Sequence, residues 1–126
     1  MIATIVVLDA EPVVRSVITK ILQREGYTVL PAGDLDSAAD AVKHCTPDLL
    51  ITNLYLPGTT GHDAARLLRK TCPNIRVLMV AGLPDDRSVC DRAEDDDFEL
   101  FPKPFAADEL AQKVQEVLEL AARQDR

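Results

Sequence analysis

Apolar residues recur along this chain in two rhythms. Short apolar runs occupy Thr4 to Leu8, which is rich in β-branched residues, and Tyr27 to Leu30, Asp48 to Asn53, Ile75 to Val80 and Phe98 to Phe101, and each reads as a strand. Between them the spacing lengthens to the helical i, i+3, i+4 pattern. Val14, Ile18, Ile21 and Leu22 form one stripe; Leu35, Ala38, Ala39 and Val42 a second; Ala64, Leu67 and Leu68 a third. A shorter stripe of Val89, Cys90 and Ala93 follows Pro84, and Leu110, Val114, Val117, Leu118 and Ala121 make the last, over about Ala107 to Ala122.

Punctuation residues agree with these periods. Pro12 suits the first turn of a helix, where its missing N–H has no partner in any case, and Gly26 suits the end. Asp34 is a candidate N-cap, while Pro47 and Pro73-Asn74 stop the second and third helices. Strands alternating with helices, with no repeat and no linker, imply an α/β fold: a doubly wound, five-stranded parallel sheet of (βα)5 type with right-handed crossovers. Residues 1–122 are expected to form the domain, and 123–126 a tail or the start of a linker.

The stretch from Pro47 to Gly58 organises the rest. Leu49, Leu50 and Ile51 lead to a polar residue, Asn53, before the chain breaks at Pro57-Gly58, as in a strand buried on both faces that ends at a functional edge. Ligands of open parallel sheets meet the carboxyl ends of the strands, so position 53 should face the site.

Composition narrows the classes. At 126 residues, 47% apolar and 28% charged, the chain can bury a core without disulfides or metal. Cys45, Cys72 and Cys90 are odd in number and far apart, and are expected to be small buried or half-buried residues. No membrane span and no secretory signal is legible, so a cytoplasmic location is expected. The net charge of −7 opposes direct nucleic-acid binding by this domain. Acidic residues crowd between Asp85 and Glu99, which reads either as a solvated face or as a surface that steers a basic partner.

With these pieces in order, the chain resembles the receiver domain of bacterial two-component response regulators. The resemblance is carried by Ile5-Val6-Val7-Leu8-Asp9-Ala10-Glu11-Pro12, by Pro47-Asp48-Leu49-Leu50 through Leu56-Pro57-Gly58 and Gly61, and by Lys103-Pro104-Phe105. It implies a flavodoxin-like sheet with strand order 2-1-3-4-5 and a cis peptide before Pro104. It also implies phosphoryl transfer from a histidine kinase to an aspartate at the end of the third strand. Two acidic residues after the first strand then help to hold Mg²⁺, and a hydroxyl after the fourth strand and the lysine of Lys-Pro contact the phosphoryl group.

This chain keeps that frame and departs along its chemistry. The acceptor position is Asn53, a neutral amide and a poor nucleophile. The acidic pair reads Asp9-Ala10, leaving Asp9 and Glu11 as a residual acidic pocket with Ala10 at a missing metal-ligand position, so Mg²⁺ binding should be weak or absent. Ala81 stands at the hydroxyl position and Leu100 where many members carry a switching aromatic. Lys103 survives, and is expected to pair with Asp9 and the Asn53 side-chain oxygen in place of a metal.

The expected function is therefore that of a degenerate pseudo-receiver: not an enzyme, with no cofactor and no resident metal, acting through protein contacts. By the family's pattern the docking surface is about Pro84 to Ala121, meeting a partner with a basic surface or a second copy of the chain. The alternative is a receiver that still accepts a phosphoryl group through Asp9 or a deamidated Asn53. A flavin-binding relative is disfavoured because the turn Asp9-Ala10-Glu11 has the wrong sign for phosphate. His44 and His62 have no ligand spacing and are expected to be exposed at helix ends; Tyr55 is expected to pack beside its loop, and Asp48 lies at the wrong end of its strand for chemistry.

Overall fold

A computed structural model of the chain describes residues 3–81, 99–102 and 106–124. In chain order the elements are β1 (Thr4–Leu8), α1 (Pro12–Arg24), β2 (Thr28–Ala32), α2 (Leu35–His44), β3 (Leu49–Asn53), β4 (Tyr55–Leu56), β5 (Thr59–Thr60), α3 (Gly61–Thr71), β6 (Arg76–Ala81), β7 (Glu99–Pro102) and α4 (Ala107–Gln124). The helix expected from Pro84, Cys90, most of the acidic run and Lys103 to Phe105 lie outside the described residues.

The five-stranded sheet has the order β2-β1-β3-β6-β7, every neighbouring pair parallel, which is the expected 2-1-3-4-5 once a short hairpin is set aside. Side chains alternate across it into two cores. Ile5, Val7, Leu49, Ile51, Leu78 and Val80 meet Ile18 and Leu22 of α1 and Leu110, Val114 and Val117 of α4. Val6, Leu8, Leu50, Val77 and Met79 meet Ala38 and Val42 of α2 and Ala64, Ala65 and Leu68 of α3. This double burial explains why the central strands read as unbroken apolar runs. No described helix is long and apolar enough to cross a membrane.

Several boundaries shift by a residue or two, most of them for a hydrogen-bonding reason. α1 ends in a Schellman arrangement: Gly26, at φ 90°, donates to the Gln23 carbonyl at 3.1 Å and Tyr27 donates to Leu22 at 3.2 Å. Tyr27 N–H is thus spent on the helix, and β2 begins at Thr28. That strand continues through Pro31 to Ala32, past the expected end at Leu30, because β2 lies at the sheet edge, where a missing donor is tolerated. Ile75 donates to Cys72 in the turn before β6, so β6 begins at Arg76. α4 runs to Gln124, beyond the expected Ala122, since Arg123 and Gln124 are good helix formers and nothing there breaks the helix.

The expectation for the cysteines fails at Cys45, which is exposed, while Cys72 is buried. Cys45 would continue the stripe of Ala38 and Val42, but α2 ends at His44 and Cys45 is extended (φ −133°, ψ 151°), so helical spacing no longer aims it inward. His44 is exposed as expected. His62 is not: it is 1% exposed, because the first turn of α3 is drawn onto the end of β3.

Asp34 caps α2 as expected, its carboxylate accepting from Ser37 N–H at 2.8 Å. That bond, helped by the charge of Arg15, holds its carboxyl below the ordinary value of 3.8. A carboxyl lowered in the folded state stabilises fully above its unfolded pKa and loses that contribution as pH falls through the folded value. Asp34→Ala should therefore lower the urea midpoint at neutral pH, and the gap from wild type should narrow as the pH drops below about 3.8.

Candidate functional site

Strand register brings the expected positions to one edge. Leu8 of β1 lies opposite Thr52 of β3, so Asp9 and Asn53 both follow at the carboxyl end of the sheet. Asn53 pairs in turn with Val80 of β6, and Ala81 is one step further, opposite Pro102 of β7. Leu100 pairs with Met79, one row deeper than Asn53. Lys103 and Pro104, with the expected lysine bridge and cis peptide, lie outside the described residues.

Asp9 is only 2% exposed, and its polar groups serve the turn around it. Its N–H donates to the Ala32 carbonyl at 3.1 Å, extending the β1–β2 ladder by a residue. Its Oδ1 accepts from Glu11 N–H at 2.9 Å, closing an Asx turn, and its carbonyl accepts from Arg15 Nη1 at 2.8 Å. Ala10 is half-buried within this turn. Glu11 is exposed and stands at the N-cap of α1 without a side-chain cap bond. Its extended backbone (φ −87°, ψ 115°) is what a residue before proline adopts.

Asn53 is half-buried. The next peptide turns back into the sheet, with Leu54 N–H donating to the Val80 carbonyl at 3.0 Å. Thr52 is fully buried, its hydroxyl donating to the Asn53 carbonyl at 3.1 Å. The chain then folds into the β4–β5 hairpin, which pairs Tyr55 with Thr60 and Leu56 with Thr59 around Pro57-Gly58. The sequence suggested a loop from Pro57 to Gly61; the signal for the turn was the Pro-Gly pair, and Gly58 indeed has φ 77°, as the third position of a type II turn requires. The hairpin returns the chain so that Thr60 caps α3, its hydroxyl accepting from Asp63 N–H at 3.1 Å, and Gly61 N–H donates to the Leu54 carbonyl at 2.8 Å. A Cβ on Gly61 would run into the carbonyl oxygen of Asn53 and meet Thr52 Cγ2 at 3.2 Å. Gly61 is thus where α3 presses on the tip of β3.

Arg15 is the residue of this edge that sequence reading missed. It projects from the end of the first turn of α1 onto the Asp9 carbonyl and lies over Gly33, whose Cβ, if present, would stand 2.8 Å from Nη1 and 3.5 Å from Cζ. Asp48, by contrast, sits at the far end of β3, where its Oδ2 accepts from Thr4 N–H at 2.9 Å. Among the described residues no group of three or more His, Cys, Asp or Glu side chains is placed to hold a metal ion.

A parallel sheet of this order, with positions 9, 53 and 81 gathered at its carboxyl edge, is the architecture expected of a receiver, and other doubly wound folds share it. The sequence profile of the response regulator receiver domain matches residues 5–115, and the chain belongs to that family, the receivers of two-component signalling. Among its relatives, the sensor kinase CckA of Brucella abortus is 32% identical over 93% of this chain and 13% of its own length. The probable transcriptional regulatory protein TcrX of Mycobacterium tuberculosis is 31% identical over 91% of this chain and 49% of its own. The chain therefore spans half or less of these curated relatives. NtrX of Brucella abortus, solved with ADP, superposes with a TM-score of 0.91 at 28% identity, covering 99% of this chain and 29% of that one. A CheY-like receiver from Methanospirillum hungatei, 19% identical, superposes at 0.90 over 98% of this chain and 99% of its own length and shares the fold.

The contact of α3 with β3 is testable. Gly61→Ala should destabilise the domain by about 1–3 kcal/mol, because the new methyl meets a backbone carbonyl that cannot yield. The advantage of alanine over glycine, roughly 1 kcal/mol in a helix interior, applies only in part at this first helical position and does not cancel the loss. Urea unfolding measures the loss, and amide shifts at Asn53 and Leu54 should move most.

Proposed function

We propose that this receiver works without phosphoryl transfer: it is a binding module of a two-component pathway, not an enzyme, and passes a signal through protein contacts. The observation that carries this reading is the amide at the tip of β3. An aspartate carboxylate can attack phosphorus because it bears a full negative charge; the Asn53 side chain is neutral and its nitrogen lone pair is delocalised.

The surroundings support the same reading. Mg²⁺ is bound by hard oxygen donors and sheds water reluctantly. Ala10 offers no side-chain donor, Asn53 no charge, and one oxygen of Asp9 already accepts from Glu11 N–H. This donor set does not fit the divalent ion that the family's chemistry needs. Ala81 in place of a hydroxyl removes a contact to a phosphoryl group, and Leu100 an aromatic that would respond to one. The second route, deamidation of Asn53 to an acceptor aspartate, requires the Leu54 nitrogen to attack the Asn53 side chain. That nitrogen is held in the sheet by the Val80 carbonyl.

For the partner, the acidic run between Asp85 and Glu99 favours a basic surface, and so does the exposed side of α4. Glu25, Asp108, Glu116 and Glu119, with Gln112 and Gln115, line an open groove of about 440 Å³ between the end of α1 and α4. Opposite charge there would speed encounter and fix orientation. A cytoplasmic site of action follows from this role.

Incubation with acetyl phosphate and MgCl₂ followed by intact-mass measurement tests the reading. The wild-type chain should show no phosphoryl adduct, whereas a double variant, Ala10→Asp with Asn53→Asp, should acquire one. An adduct on the wild-type chain would overturn it.

A further inference from the structure

Resting on that reading, the geometry points to Arg15 as a resident cation that locks two turns of the site edge together, so that the β1–α1 turn is set without a divalent ion. At the end of β1 the Asp9 carbonyl accepts from the guanidinium of Arg15 at 2.8 Å. The same planar group lies on Gly33, the residue between β2 and the cap of α2. Gly33 does not need glycine for a left-handed backbone; it is not among the residues of positive φ. What the missing side chain supplies is room, because a methyl there would sit 2.8 Å from Nη1.

Two further observations make the latch continuous. Asp9 N–H is tied to the Ala32 carbonyl, so the ends of β1 and β2 are already held side by side. Asp34, immediately after Gly33, is a carboxylate whose ionised form is favoured chiefly by its bond from Ser37 N–H and to a lesser degree by the Arg15 charge. Arg15 therefore bonds a carbonyl of one turn and lies against Gly33, the residue that leads into the cap of the next. Arginine suits this place: it is charged at every physiological pH, and its flat fork can donate while covering a glycine, which a lysine ammonium cannot do. Arg15 acts here as a positioning residue, through the backbone of Asp9.

Hydrogen exchange on the intact chain tests the latch, with Arg15→Ala and Gly33→Ala compared with wild type. Losing a charge-assisted bond to a half-buried carbonyl should speed amide exchange about tenfold or more at Glu11, and also at Ser37 and Ala38 across the second turn. Gly33→Ala leaves Arg15 intact but fills its seat, so it should loosen Glu11, on the far side of the guanidinium, as well as its own turn. A merely local effect of the alanine would stay between Gly33 and Ala38. Confinement of either variant's effect to one turn would overturn the latch, while leaving the phosphoryl-independent function standing. Adding MgCl₂ should leave exchange at Glu11 in the wild type unchanged; slowing on addition would overturn the claim that Arg15 makes the ion dispensable, and would count separately against the proposed function.

Discussion

The constraint on which everything else depends is the burial of β3 on both faces. Leu49, Leu50 and Ile51 are within 1% of complete burial, held by β1 on one side and β6 on the other. A strand enclosed in this way can meet solvent only at its ends, and parallel neighbours in register end together. The sheet therefore delivers Asp9, Asn53 and Ala81 to one edge whatever their chemistry. A fold that fixes position so strongly can lose its reactive groups and keep its shape. That is the physical sense in which a receiver frame and an amide at the tip of its middle strand coexist in one chain.

Within that frame the site edge is tied by backbone groups more than by side chains. Asp9 spends its N–H, its carbonyl and one carboxylate oxygen on Ala32, Arg15 and Glu11. The Asn53 carbonyl takes the Thr52 hydroxyl and bears on Gly61, and the peptide after it is bonded to Val80. Little of this depends on which side chain stands at position 53.

The fold was legible because the apolar periods were clean: aliphatic runs for the central strands, stripes for α1, α2, α3 and α4. Asp34 was legible as a cap because an aspartate directly before a helical stripe has one common use. What escaped were pairings that no local pattern encodes. Tyr27 looks like a strand residue until the helix before it claims its N–H, and Pro31 looks like a stop until β2 is known to be an edge. His62 was misplaced because helix-end position suggested exposure, whereas the close seat of Gly61 on β3 decides the matter. Of the site, the positions 9, 10, 53 and 81 could be placed from motif and strand ends. Arg15 could not, since its role depends on the empty space at Gly33, two elements away.

Pro31 has a consequence for how copies of the chain meet. Thr28 N–H points inward, donating to the Ala3 carbonyl, and the Asp9 N–H reaches back to the Ala32 carbonyl, so the alternate residues Val29 and Pro31 turn their nitrogens toward the open side of β2. One of those outward nitrogens carries no hydrogen. An incoming extended segment would find a gap in the donor row and a ring in its path, which protects this margin against strand addition and the fibrous association that begins with it.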